Sequence, residues 1–289
     1  EGGPVPIEIA ESDKSQTGKG FRMKIVCAIY GERPYLIGQR TGGVGSLDES
    51  VSAGLLSGRP FLRCDNLRGR VESAFIEMIV TAGGDTVNVR VPHRGEVPID
   101  ASGVLFQFTS NGIETTPDLA NRSSIVRIRK RPPGYAWHNW PEGDLLAHVA
   151  ARRLFYLGAA HSVVRAWLAA GRPHKDNAGH DLRTWSGAVS WIVEKLFDAA
   201  PLMQGHRVVQ ARVADRALIW LRSIALAVEQ AGRNAQPQSA SAIWELGDLE
   251  GIELPGAKRD LDEVRGRQRV GQLLGRVFRE TNKIDLDGI

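Results

Sequence analysis

Cysteine and methionine are scarce in this chain: two and three in 289 residues. Two thiols are too few for the disulfide framework of a small secreted module or for a cysteine-rich zinc site. Cys27 and Cys64 each lie within an apolar stretch, which predicts a reduced pair of small core residues. Long apolar runs are also lacking. None approaches the roughly 18 residues that a membrane-spanning helix needs, and the first residues carry no signal-peptide pattern. No membrane partner and a cytoplasmic location are therefore expected. A strong charge of either sign is missing too. The net charge is +4, and up to Trp140 there are 17 Lys/Arg against 15 Asp/Glu, so no basic excess gathers there. Charge alone neither excludes a polyanionic partner nor calls for one. The chain opens without Met and stops at Asp-Gly-Ile, as expected of a piece excised from a longer protein.

What is present is a globular composition, 42% hydrophobic and 24% charged, long enough for more than one domain. Through residue 130, strand-like and helix-like patterns alternate. Residues 4–11 read as a strand and 18–31 as a helix with apolar residues at Phe21, Ile25, Val26 and Ile29. Strands at 34–39 and 61–66 alternate with helices at 47–58 and 71–82. Residues 85–100 then read as a hairpin around Pro92-His93-Arg94-Gly95. Strands at 104–111 and 123–129 follow. This alternation predicts an α/β core with a mostly parallel five-stranded sheet, whose ligands bind beyond the carboxyl ends of the strands.

Three loops at those ends carry polar groups. The first, Asp13-Lys14-Ser15-Gln16-Thr17-Gly18-Lys19-Gly20, approaches the phosphate-loop spacing G-x-x-x-x-G-K-[ST]. It departs at both outer positions, with Asp13 for the first glycine and Gly20 for the hydroxyl residue. Backbone N–H groups of such a turn, at a helix N-terminus, cradle phosphate, and Lys19 supplies a point charge. The second holds Asp65-Asn66, a carboxylate suited to Mg²⁺ but equally to a turn. The third holds Thr109-Ser110-Asn111 at the tip of an apolar strand, suited to feeling a γ-phosphate or orienting water.

In this order, GKG, FLRCDN, the hairpin, VLFQFTSN and PDLANRSSIVRIRK resemble the core of an AAA+ ATPase. The group they are most similar to is the helicase-like, replication-associated one of phages, plasmids and mobile elements. The resemblance spans about Pro4 to Arg131 and continues loosely through EGDLLAHV and VVRAWLAAGRP, which look like that group's helical lid. It implies ATP and Mg²⁺ as cofactors and a ring, of six subunits, acting on single-stranded or forked DNA. Ser15, Gln16, Thr17, Gly18, Lys19, Gly20 and Phe21 would then hold nucleotide, with Lys19 as the Walker A lysine. Asp65 would be the Walker B aspartate and metal ligand, Asn111 the sensor-1 residue, and Arg122 the arginine finger toward a neighbouring subunit. Asn66 stands where that family has the glutamate that polarises the attacking water, so hydrolysis is expected to be slowed unless Glu49 or Glu72 substitutes. Arg90, His93 and Arg94 would grip DNA from the hairpin, which in that group points into the central pore. The glycine-rich 39–46 offers a second pore loop or a connector.

Past residue 133 the pattern turns helical. Residues 1–133 read as the nucleotide-binding core, 134–232 as the α-helical lid and 240–289 as a winged-helix-like domain cut off within its wing. Helices are expected at 144–170, 183–198 and 211–231. Trp167, Trp185, Trp191 and Trp220 read as packing residues. Arg165, Arg183 and Arg212 all qualify as a sensor-2 arginine. His161, His174, His180 and His206 lack metal-ligand spacing. In RQRVGQLLGRVFRE the apolar residues Val270, Leu273, Leu274, Val277 and Phe278 keep helical spacing, while Arg265, Arg267, Arg269, Arg276 and Arg279 crowd the polar side. Besides a DNA motor, the pattern admits a non-hydrolysing nucleotide-dependent scaffold. A third reading, a P-loop enzyme for a small molecule, fits the basic hairpin and Arg122 less well.

Overall fold

A computed structural model describes residues 3–12, 16–38, 46–83, 85–91, 95–132, 135–136, 139–176, 180–234, 236–255, 262–279 and 283–284. In chain order, β1 (Ile7–Glu11) leads to α1 (Lys19–Tyr30), β2 (Tyr35–Ile37), α2 (Leu47–Leu56) and β3 (Phe61–Leu67). A short strand, β4 (Arg70–Val71), precedes α3 (Ala74–Thr81) and the hairpin β5 (Thr86–Val91) and β6 (Gly95–Asp100). Then come β7 (Leu105–Ser110), β8 (Glu114–Thr115), α4 (Pro117–Asn121) and β9 (Ser123–Arg127). The ladder between β4 and β8 and the one-turn α4 carry too few residues to show a period, and the sequence pattern gave no sign of them.

The sheet has the spatial order β2-β3-β7-β1-β9, and every ladder in it is parallel. The chain is thus an α/β protein with a five-stranded parallel sheet, compatible with a P-loop-like core. Its central strands are largely buried, with one face apolar and the face under α1 carrying Glu8, Arg63 and Gln107 in register. Ile7, Ile9, Leu62, Phe106 and Phe108 are buried and share one face in register, and Met23 of α1 is buried as well. Under α1 one buried polar set interrupts this core. Arg63 donates from Nη2 to Gln107 Oε1 (2.9 Å), with Cys27 Sγ 3.4 Å away. Both cysteines are free and buried, and burial pushes the Cys64 thiol up to about 12. That agrees with a reduced core pair.

Helix starts follow their caps. Ser46, Ser73, Thr116 and Asp144 each accept the backbone N–H three residues on. After the sheet come α5 (Leu145–Ala151), α6 (Arg153–Ala169) and α7 (Arg183–Leu196), the first two packed against α1. The expected helix 144–170 breaks at Arg152.

The chain divides into compact units Glu1–Arg207 and Val208–Ile289. Helix α8 (His206–Ala214) crosses that boundary, and Asp215 caps α9 (Arg216–Gln230), breaking the helix expected at 211–231. In the second unit α9, α10 (Ala240–Leu249) and α11 (Glu263–Val277) enclose Trp220, Ile224, Ile243, Leu254 and Val270. The wing strand expected after residue 282 lies, apart from Lys283 and Ile284, outside the described residues.

Candidate functional site

Lys19 is the first residue of α1, at the carboxyl edge of the sheet. The loop reaches it through two left-handed residues, Gln16 (φ 61°) and Gly18 (φ 88°). A Cβ on Gly18 would meet nothing within 4 Å, so glycine is there for its φ and not for space. Lys19 Nζ donates to Ser12 Oγ (2.5 Å) and to Asn111 Oδ1 (2.6 Å), with Thr17 Oγ1 at 3.4 Å. Thr17 Oγ1 in turn donates to Ser12 Oγ at 2.9 Å. One ammonium therefore ties together the ends of β1 and β7 and the start of α1. Ser12 is buried and is anchored by its own N–H to Ser110 O (3.2 Å).

One strand away, β3 contains a bulge. Cys64 pairs with Phe108 and Leu67 with Ser110, so Asp65 and Asn66 together face Thr109. Asn66 lies in the left-handed region (φ 55°), which asparagine tolerates better than most residues. The buried Thr109 hydroxyl donates to Asp65 Oδ1 (2.5 Å) and accepts the Asn66 N–H (2.7 Å). The Asp65 carboxylate is thereby held at the exposed strand end, two strands from Lys19, about 10 Å at normal strand spacing.

Of the residues the sequence nominates, Lys19, Asn111, Thr17 and Gly18 meet in one contact group, with Asp65 and Asn66 across β7. Gly20 and Phe21 follow on α1, and a Cβ on Gly20 would also meet nothing within 4 Å. Ser15, like Asp13, lies outside the described residues, as do His93 and Arg94.

Arg122 is not brought into this group. Its carbonyl accepts the Ile7 N–H (3.0 Å) at the amino edge of β1, and its Nη1 donates to Asp118 O (3.0 Å). The length of β1, about 16 Å for five residues, lies between it and the Lys19 side.

Arg90 stands on the exposed face of the hairpin, directly opposite Glu96 in register. A carboxylate in that place competes with phosphate for the guanidinium. Glu72 forms an ion pair with Arg70 (3.3 Å), and Glu49 sits in the first turn of α2. Three of the four arginines of α11 form ion pairs. Arg265 pairs with Asp262, Arg267 with Glu245 and Glu263, and Arg276 with Asp215.

Ser12 is the site residue to which the sequence assigns no role, and the part Thr109 plays in holding Asp65 and Asn66 is not legible there either. Ser12 follows the first strand directly, but a serine there carries no motif. Thr109 was visible only as one of three polar residues at a strand tip. Among the described residues no group of three His, Cys, Asp or Glu side chains could hold a metal by itself. A single carboxylate binds Mg²⁺ where phosphate oxygens and waters complete the shell, and Asp65 offers one exposed carboxylate.

The arrangement can bind an oxyanion. It offers a left-handed turn, a helix N-terminus and one ammonium, with a fixed carboxylate beyond β7. No protein-family model matches the chain, and no curated protein matches it by sequence.

Proposed function

We propose that this chain is an ATP-binding, ATP-hydrolysing AAA+ motor that assembles as a ring, of six subunits, and acts on DNA. Helicase, translocase and replication initiator of a mobile element all fall within that reading. The observation that carries it is the Lys19 ammonium at the start of α1, hydrogen-bonded to Ser12 and to Asn111 across 92 residues of sequence. A lysine in that position would neutralise the outer phosphates of a nucleotide, and Asn111 beside it would sense them. Asp65 would hold Mg²⁺, which supplies charge neutralisation at the phosphates. Gly20 offers no hydroxyl for it. In this reading residues 134–232 serve as the lid and 240–289 as the winged-helix-like domain, with α9 of the first span packed against α10 and α11 of the second. Hairpin residues Arg90, His93 and Arg94 supply contacts to the DNA backbone.

Asn66 favours a second reading, a nucleotide-dependent scaffold that binds without turnover. An amide orients water but takes no proton from it. ATPase rates with and without single-stranded DNA separate the two. Stimulation by DNA is expected of the motor, and tight ATP binding with no turnover of the scaffold. A Lys19→Ala protein is expected to lose ATP binding; ATP affinity equal to the parent's would overturn both.

A further inference from the structure

The segment from the end of β9 to the start of α5 belongs to none of the groups above. Ile128 N–H donates to Glu11 O (2.8 Å), which keeps the chain on the sheet as far as the carboxyl end of β1. There it leaves as Arg129-Lys130-Arg131, three consecutive exposed cations. The Arg131 guanidinium lies over the ring of Tyr135, 4.9 Å from its centroid. Tyr135 is 41% exposed and Trp140 67%. Short turns set both aromatics, with Tyr135 N–H on Pro132 O (3.2 Å) and Gly143 N–H on Trp140 O (3.0 Å). From residue 128 to 143 the sequence has one acid, Glu142.

We propose that Arg129, Lys130, Arg131, Tyr135 and Trp140 form a binding strip for single-stranded nucleic acid. Grooves that hold single strands without sequence preference combine cations for successive phosphates with aromatic faces for unpaired bases. An arginine stacked on an aromatic ring extends that platform with a planar cation. Two exposed large aromatics within six residues cost hydration that a base would relieve. A single nucleotide would leave these cations without use, because its phosphates belong at Lys19. The strip extends the DNA half of the proposed function, yet it stands on its own residues and not on the nucleotide site.

The test is binding of labelled oligo(dT) to the full 289-residue protein by fluorescence anisotropy, beside an abasic strand of equal length. The Tyr135→Ala, Trp140→Ala double variant is expected to weaken oligo(dT) binding about 10- to 100-fold. The abasic strand is expected to bind the parent and the double variant alike, and Trp140→Phe to retain most of the affinity. Lys130→Gln with Arg131→Gln should flatten the salt dependence. Lys19→Ala, without ATP, should leave oligo(dT) binding unchanged, so a failed nucleotide site does not register as a failed strip. Equal oligo(dT) affinity in parent and double variant would overturn the proposal. So would parent binding of the abasic strand as tight as of oligo(dT), or loss of strand binding in Lys19→Ala. Loss of ATP affinity with strand affinity intact in the double variant would assign the aromatics to the nucleotide's base, and that also overturns it.

Discussion

Gly20 and Thr109 show what single residues contribute at the sheet's carboxyl edge. Gly20 has open space around its Cα, so no packing demand explains the missing hydroxyl. Gly20→Ser is expected to fold as the parent does, with a small gain in helix propensity of about 0.5 kcal/mol. It should lower the Mg²⁺ concentration needed for half-maximal ATP binding, read by titrating Mg²⁺ at fixed nucleotide. Thr109 works in the opposite sense, because its one hydroxyl serves two partners. Thr109→Val keeps the shape but strands the Asn66 N–H and releases Asp65. A loss of about 1–3 kcal/mol in urea unfolding is expected, together with weaker Mg²⁺-dependent nucleotide binding. A variant with parental stability and Mg²⁺ response would show that the bulge holds Asp65 without Thr109. At this scale the sequence displayed Lys19, Asp65 and Asn111 but hid what holds them. Asn66 reads as a lost glutamate in the sequence. In the fold it also occupies a left-handed bulge position that a glutamate would strain.

Elements were legible wherever a period or a cap spoke for them. The helix 18–31 was expected from apolar spacing and appears as α1, ending at a left-handed Gly31 (φ 72°). Breaks at Arg152 and Asp215 were not expected, because continuous apolar spacing on either side conceals a local cap. Histidine placement was equally hidden. His180 and His206 stack with centroids 5.0 Å apart, both buried. His180 accepts the Leu182 N–H at Nδ1 (3.0 Å), while its Nε2 lies 3.1 Å from Ser123 O and donates to it, an arrangement of the neutral ring. Burial, then the neighbouring His180, holds His206 down to about 4. Because the folded value lies below the ordinary 6.5, the unfolded chain takes up the proton first as pH falls. Thermal stability is therefore expected to be full above pH 6.5 and to decline from there toward pH 4. His206→Phe should flatten that decline. The measurement is Tm against pH for both proteins, and identical slopes would remove His206 from the account.

On the ring proposed for the whole molecule, Arg122 would act on a neighbour's nucleotide, since the length of β1 separates it from its own Lys19. Arg122→Ala is expected to bind ATP like the parent and to hydrolyse it at least 10³-fold more slowly. Mixing it with Lys19→Ala should restore part of the activity, because some interfaces then pair an intact Arg122 with an intact Lys19. ATPase rates across mixing ratios check this, and strictly additive rates would place Arg122 outside the site. The amino-acid sequence by itself determined the longer elements and their order along the chain, through periodicity, caps and turn residues. These depend on neighbours a few positions away. Only the tertiary structure decided that β1 lies between β7 and β9. Strand neighbours are chosen by long-range packing of apolar faces and by crossovers, which no local window records. That choice puts Ser12 and Asn111 around one ammonium, sends Arg122 to the far edge, and delivers the basic run after β9 beside the end of β1.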